Sequence, residues 1–178
     1  MKKLFKSIIA TMLIAVLAIS ALGTETAQAA ETPVIKITFN KKSVNLKVAD
    51  TGVKETKYKT LRKKLGKATT INKEGSEDAD YYYINYIWKK GKSQFSYNRE
   101  SFSSGNYYSV RIQDKNVSIC GVTKGTKADK AKKAFEKAGA ATVNKDENFI
   151  NADFGEGSNI QCTLKNGKIV EIYAALYY

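Results

Sequence analysis

Histidine is absent from all 178 residues. That removes the commonest general base and the commonest transition-metal ligand, and with them any Ser-His-Asp or Cys-His arrangement. Two cysteines without histidine do not make a structural zinc site. Gly155-Glu-Gly157 lacks the spacing and the lysine of a phosphate-cradling loop, and no cofactor-binding motif appears elsewhere. A Ser-Lys nucleophile would have to come from Ser93 or Ser101 among lysines. Carboxylates gather in two loops, Glu77, Asp78 and Asp80 in one, Asp146, Glu147, Asp153 and Glu156 in the other. Their spacing fits no Ca²⁺ loop, and nothing marks a pair for glycan hydrolysis.

Aromatics next to cations are the sharper signal. The run Tyr81–Trp88 carries Tyr82, Ile84, Tyr86 and Trp88 on one face of a strand and Tyr81, Tyr83, Asn85 and Ile87 on the other. If helices cover one face only, the other is left with exposed rings beside Lys89, Lys90 and Arg111. The candidate recognition surface is therefore Tyr82, Tyr86, Trp88, Tyr97 and Tyr107 with those three cations, a composition enriched in binding hot spots. Burial of both faces in one core is the alternative. Cys120 and Cys162 are a candidate disulfide closing a loop of about 43 residues, worth roughly 4 kcal/mol on chain-entropy grounds. Two buried thiols in strands is the other reading.

These residues need elements to hold them. Val34–Phe39 and Val44–Val48 alternate apolar and polar, and predict a hairpin. Thr56–Leu65 predicts a helix with Tyr58, Leu61 and Leu65 on one face, stopped by Gly66, then a polar loop over Asn72–Asp80. Strands follow at Tyr81–Trp88, Ser93–Tyr97, Tyr107–Ile112 and Val117–Cys120. Lys127–Ala138 predicts the best helix, capped by Thr126 and ended by Gly139, with Ala128, Ala131, Phe135 and Ala138 in a stripe. Phe149–Phe154, Asn159–Leu164 and Ile169–Leu176 predict three more strands, the last two joined by Lys165-Asn-Gly-Lys168, a type I′ hairpin signal.

Leu65-Gly-Lys-Ala-Thr-Thr-Ile-Asn-Lys-Glu74 aligns with Ala138-Gly-Ala-Ala-Thr-Val-Asn-Lys-Asp-Glu147, 73 residues on, and Ala-Asp-aromatic follows each. The expected fold class is α+β: a tandem repeat of one helix plus three antiparallel strands, with helices on one sheet face. Gly121 to Gly139 and the hairpin Ile160–Ile172 resemble the repeat of the β-lactamase-inhibitory-protein-like superfamily, which small outer-membrane assembly lipoproteins share. Its pattern is Gly-x-x-x-Gly-Thr, a helix ending in Gly, and an Asn-Gly or Asp-Gly hairpin. The resemblance is clearest over residues 117–176 and implies a non-catalytic binder, with no partner carried over.

Lys2, Lys3 and Lys6, the 15-residue apolar run Ile8–Leu22 and Ala27-Gln28-Ala29 read as a secretory signal peptide, residues 1–29. The run falls short of the about 20 residues that span a bilayer, so no transmembrane anchor is expected. Residues 30–116 would then hold the hairpin and the first repeat, and 117–178 the second. Past residue 29 the chain keeps 27 basic and 16 acidic side chains; 30–115 carries a formal +9 and 116–178 only +2. The function expected is a secreted, non-enzymatic protein that recognises an unknown protein partner through the aromatic sheet face. The alternative is an envelope-associated protein drawn to anionic cell-wall polymer by its basic surface. A glycan hydrolase is a distant third. No specific nucleic acid is expected as partner.

Overall fold

The computed structural model describes residues 33–49, 52–75, 82–100 and 107–177. The expected signal peptide, Glu77, Asp78, Asp80 and Ser101 lie outside them. Strands form where the two-residue alternation predicts: β1 (Val34–Phe39) pairs antiparallel with β2 (Lys42–Ala49), and the two-residue β3 (Gly52–Val53) follows. The β1–β2 turn holds Asn40 and Lys41 at φ of 50° and 69°. That is the type I′ geometry whose twist matches flanking strands. β8 (Val117–Ile119) pairs with the free edge of β1, so the small sheet has the order β3-β2-β1-β8.

The large sheet has eight strands in the order β4-β5-β6-β7-β12-β11-β10-β9, all antiparallel. They are β4 (Thr70–Gly75), β5 (Tyr82–Lys90), β6 (Ser93–Glu100), β7 (Tyr107–Ile112), β9 (Thr142–Lys145), β10 (Phe149–Asp153), β11 (Asn159–Lys165) and β12 (Lys168–Tyr177). Asn166 and Gly167 both have positive φ, so the β11–β12 turn has the backbone its Asn-Gly pair encodes.

Two helices complete the described chain, α1 (Tyr58–Leu65) and α2 (Ala128–Lys137). α1 buries Leu61 and Leu65; α2 buries Ala128, Ala131 and Phe135. The expected Thr126 cap is not formed. Lys127 is the N-cap, and the Thr126 hydroxyl instead accepts the Thr123 N–H. Gly139 ends α2 at φ +90°, and a Cβ there would lie 2.5 Å from the Pro33 ring, so both conformation and space demand glycine.

One face of the large sheet, both helices and the small sheet share one hydrophobic core, from Ile35, Ile37 and Leu46 through Phe95 and Val110 to Phe135, Ile150 and Ile172. Strand makes up 57% of the described residues and helix 14%. The expected α+β fold of tandem helix-plus-three-strand units is therefore overturned. The protein is mostly β, with one continuous eight-stranded sheet and a second sheet as its main cover. Three strands were unforeseen, the two-residue β3 and two longer ones. β4, expected to become loop from Asn72, and β9 are the two edges of the large sheet; β4 is almost wholly exposed and β9 largely so. With no apolar face, their sequences carry no period-two signal, and pairing to β5 and β10 creates them.

Candidate functional site

Lysines gather in the connections at one end of the large sheet and in the β1–β2 turn beside them. Lys41 sits in the β1–β2 turn and Lys42 opens β2; Lys67 lies between α1 and β4; Lys89 and Lys90 end β5. Lys115 lies between β7 and β8, Lys124 between β8 and α2, and Lys165 and Lys168 flank the β11–β12 turn. They line three grooves that share walls. The first, about 150 Å³, is bounded by Lys42, Lys67, Lys89 and Lys90 beside Trp88. The second, about 390 Å³, shares Asn40 and Lys90 with it and adds Lys41 and Lys115. The third, about 370 Å³, takes Lys115, Lys124, Lys165 and Lys168. Among the described residues, no Asp or Glu lines any of the three. Among the described residues, ion pairs join Arg111 to Glu171, Lys132 to Glu136 and Lys145 to Asp129, and none uses a groove lysine.

Hydrogen bonds stitch these turns together. Asn40 N–H donates to the Asn116 carbonyl at 3.3 Å, docking the β1–β2 turn on the β7–β8 loop. The Thr123 hydroxyl donates to the carbonyls of Asp114 and Val117, at 3.1 and 2.7 Å. Gly125 N–H donates to Ile169 O, and Ile169 N–H to Thr126 O, which fastens the segment after Lys124 to the start of β12. The Ser93 hydroxyl accepts the N–H groups of Gln113 and Asp114 and donates to the Asp114 carboxylate. Ser93 is 1% exposed and committed to the β5–β6 turn, so it does not serve as a nucleophile.

Asp114 precedes Lys115 in sequence, and its carboxylate is engaged by its own turn. Its Oδ2 accepts the N–H groups of Lys92 and Ser93. Desolvation pushes its pKa up, but the Ser93 hydroxyl, those two amides and nearby Lys124 outweigh it and hold the carboxyl below its ordinary value. Gly91, at φ +57°, leaves room for this: a Cβ there would meet Asp114 Oδ2 at 2.9 Å.

The expected aromatic surface is corrected. Trp88 and Tyr97 are 3% and 2% exposed and belong to the core. Trp88 donates its indole N–H to Gly66 O at 3.0 Å, and its ring lies 5.4 Å from Phe95. Tyr86 is half-buried on the same face, stacked on Tyr58 of α1 at 3.9 Å and on Tyr97 at 5.6 Å. Tyr82 shares that face at the strand's far end, under the Arg99 guanidinium at 5.3 Å. Tyr107 and Arg111 occupy the opposite face. The reason is the parity of β5: its even positions meet the covering layer, in which α1 and the small sheet both take part. Lys89 and Lys90 are exposed as expected, but beside the lysine grooves rather than a ring surface.

The opposite face of the large sheet has no covering element among the described residues. Register places Tyr107 beside Tyr177, with rings 5.5 Å apart, and Arg111 beside Tyr173. Tyr173 and Tyr177 are 48% and 38% exposed, and Arg111 Nε donates to Glu171 Oε1. The candidate disulfide is not formed: Cys120 and Cys162 are free thiols, pushed up by burial to about 11 and about 12. Asp146 and Asp153 accept backbone N–H groups of their own turns. Among the described residues no three Asp, Glu, Cys or His lie together as a metal site.

Of the nine groove lysines only Lys89 and Lys90 were singled out by sequence; Lys41, Lys42, Lys67, Lys115, Lys124, Lys165 and Lys168 were not. The available signal was that lysines flank the Asn40-Lys41, Gly91 and Asn166-Gly167 turns. Strand order decides that these turns share one end. Compared with known protein families, characterised proteins and solved structures, the chain matches none.

Proposed function

We propose that this is a non-enzymatic protein acting outside the cytoplasm, which holds an anionic cell-wall polymer along its lysine-lined end. The single observation that carries the reading is the run of nine lysines over three adjoining grooves, with no carboxylate among the described residues of their walls. Like charges held close by backbone hydrogen bonds raise the local potential and draw a polyanion from a distance. Every cation of the grooves is lysine, a compact hydrated charge without the planar fork that selects one phosphate or carboxylate. That suits a repeating charged chain better than a single anion. The basic leader-like segment 1–29 supports the compartment, and no described helix is long and apolar enough to cross a membrane.

A second reading is protein recognition, the function the superfamily resemblance implies, through the opposite sheet face at Tyr107, Tyr173 and Tyr177. Large exposed tyrosines around the Arg111–Glu171 pair favour it.

Binding to purified poly(glycerol phosphate) teichoic acid separates the two. Lys90→Gln/Lys115→Gln/Lys168→Gln samples all three grooves, and Lys130→Gln/Lys133→Gln/Lys137→Gln removes the same charge from exposed α2 positions. At about 1 kcal/mol per lysine near an anionic surface, the three-lysine groove variant should bind on the order of 100-fold more weakly at low salt and show a shallower salt dependence. The helix variant should change by less than about 3-fold. Equal losses in both variants would mean diffuse attraction to net charge and would overturn the site.

A further inference from the structure

The half of the large sheet from β9 to β12 is described without a break, as are the connections that border it. Alternation sends Ile150, Ile160 and Ile172 into the core and turns Asn151, Gln161 and Tyr173 to the opposite face. Register aligns those three in one cross-strand row that starts at Asn144 of β9 and ends at Arg111 of β7. Phe149 stands on the same face one row away, across from Thr163. Phe149 is 43% exposed and Tyr173 48%. Among the described residues neither ring stacks on another aromatic ring. Nor does any hydrogen bond among them take up the exposed carboxamides of Asn144, Asn151 and Gln161. The row's one cation, Arg111, is paired with Glu171. Asp153, one row further, accepts the Gly155 N–H in its own turn.

We infer that this row binds an uncharged glycan strand lying across β9 to β12. A carboxamide both donates and accepts, as a sugar hydroxyl does, whereas a lysine only donates and a carboxylate only accepts. Three unengaged carboxamides in succession therefore match the hydroxyl rim of a sugar chain. Tyr173 and Phe149 offer exposed rings for the apolar C–H faces of the sugars. Adjacent strands lie about 4.8 Å apart, close to the length of one hexose unit, so successive strands present one group to each sugar. The two rings stand two strands apart, about 10 Å across the sheet, with Gln161 and Thr163 of β11 between them. A protein partner is better served by rings gathered at the centre of one apolar patch. With Arg111 offset by Glu171, the row holds no excess of cations to select an acidic ligand. This site shares no residue with the lysine grooves and does not depend on their function.

Side-chain amide signals of the ¹⁵N-labelled protein report on the row directly. Chitotetraose and cellotetraose are the probes, titrated into the protein, into Tyr173→Ala, into Gln161→Ala and into the groove variant Lys90→Gln/Lys115→Gln/Lys168→Gln. At least one of the two sugars should shift the Asn151 and Gln161 side-chain signals saturably. Its affinity should change less than about 2-fold between about 50 and 500 mM salt, because no net charge is involved. Affinity should fall about 10-fold in Tyr173→Ala and about 3-fold in Gln161→Ala, while the groove variant keeps it. Tyr173 and Gln161 are exposed, so both variants should retain the circular dichroism and melting temperature of the parent. Saturable binding of neither sugar would overturn the inference and leave protein recognition as the reading of this face. Binding that weakens steeply with salt, that is lost in the groove variant, or that Tyr173→Ala and Gln161→Ala both retain would also overturn it. So would a dimer in sedimentation that Tyr173→Ala abolishes, since a second copy would then cover the row. Failure of both sugars to bind leaves the lysine grooves untouched, so the two readings fail separately.

Discussion

Replacing Tyr108 by phenylalanine removes one oxygen atom and little else. The ring is fully buried between Phe95 and Tyr97, at centroid distances of 6.1 and 5.4 Å, and those contacts survive in phenylalanine. What goes is the two-way bond to the Thr56 backbone. Each such bond contributes about 0.5–1.5 kcal/mol net, so Tyr108→Phe should cost about 1–3 kcal/mol at neutral pH. At this chain length that lowers the melting temperature by about 3–10 °C. Alkaline pH adds a second signature. Burial, with Tyr97 and Glu55 adding to it, raises the Tyr108 pKa above 10.0 despite the opposing Thr56 bonds. Above pH 10 the unfolded chain releases this proton and the native state keeps it. The stabilisation is therefore complete below pH 10 and is lost as pH rises further, by at most about 1.4 kcal/mol per pH unit. The phenylalanine variant has no such proton, so its deficit should shrink as pH rises from 9 to 11. Cys120 and Cys162 titrate alike in both proteins and cancel in the difference. Urea unfolding followed by far-UV circular dichroism at several pH values measures it. A neutral-pH cost under about 0.3 kcal/mol, or a deficit constant with pH, would refute the clamp.

Phe135→Ala should cost about 3–5 kcal/mol in urea unfolding, because the side chain is fully buried and anchors α2; a loss under about 1 kcal/mol would mean the helix stripe is not packed. Asp114→Asn should destabilise the protein at neutral pH and loosen the β5–β6 turn. Because the Asp114 pKa lies below 3.8, its contribution is present above about pH 4 and lost as pH falls through the depressed value, so variant and parent should converge in acid. Unfolding curves between pH 2.5 and 7 test this, and a gap that persists at pH 2.5 would count against it.

Local chemistry by itself determined the hairpins, both helices and their buried faces. The type I′ turn at Asn166-Gly167, the burial of Phe135 and the stop at Gly139 follow from short-range preferences that no partner element overrides. The lysine excess was equally plain in composition. Tertiary structure decided the rest. Alternation along β5 says that two faces differ but not which one is covered, and the answer depends on α1, the N-terminal hairpin and β8 forming a lid. That choice sent Trp88 and Tyr97 inward and turned Tyr107, Tyr173 and Tyr177 outward. The polar edges β4 and β9 exist only because a neighbouring strand offers hydrogen bonds, which sequence periodicity does not record. The lysines of six separate connections became one surface because antiparallel strand order brings alternate connections of the large sheet to the same end and the β1–β2 turn docks on the β7–β8 loop beside them, a long-range consequence that no local window of sequence contains.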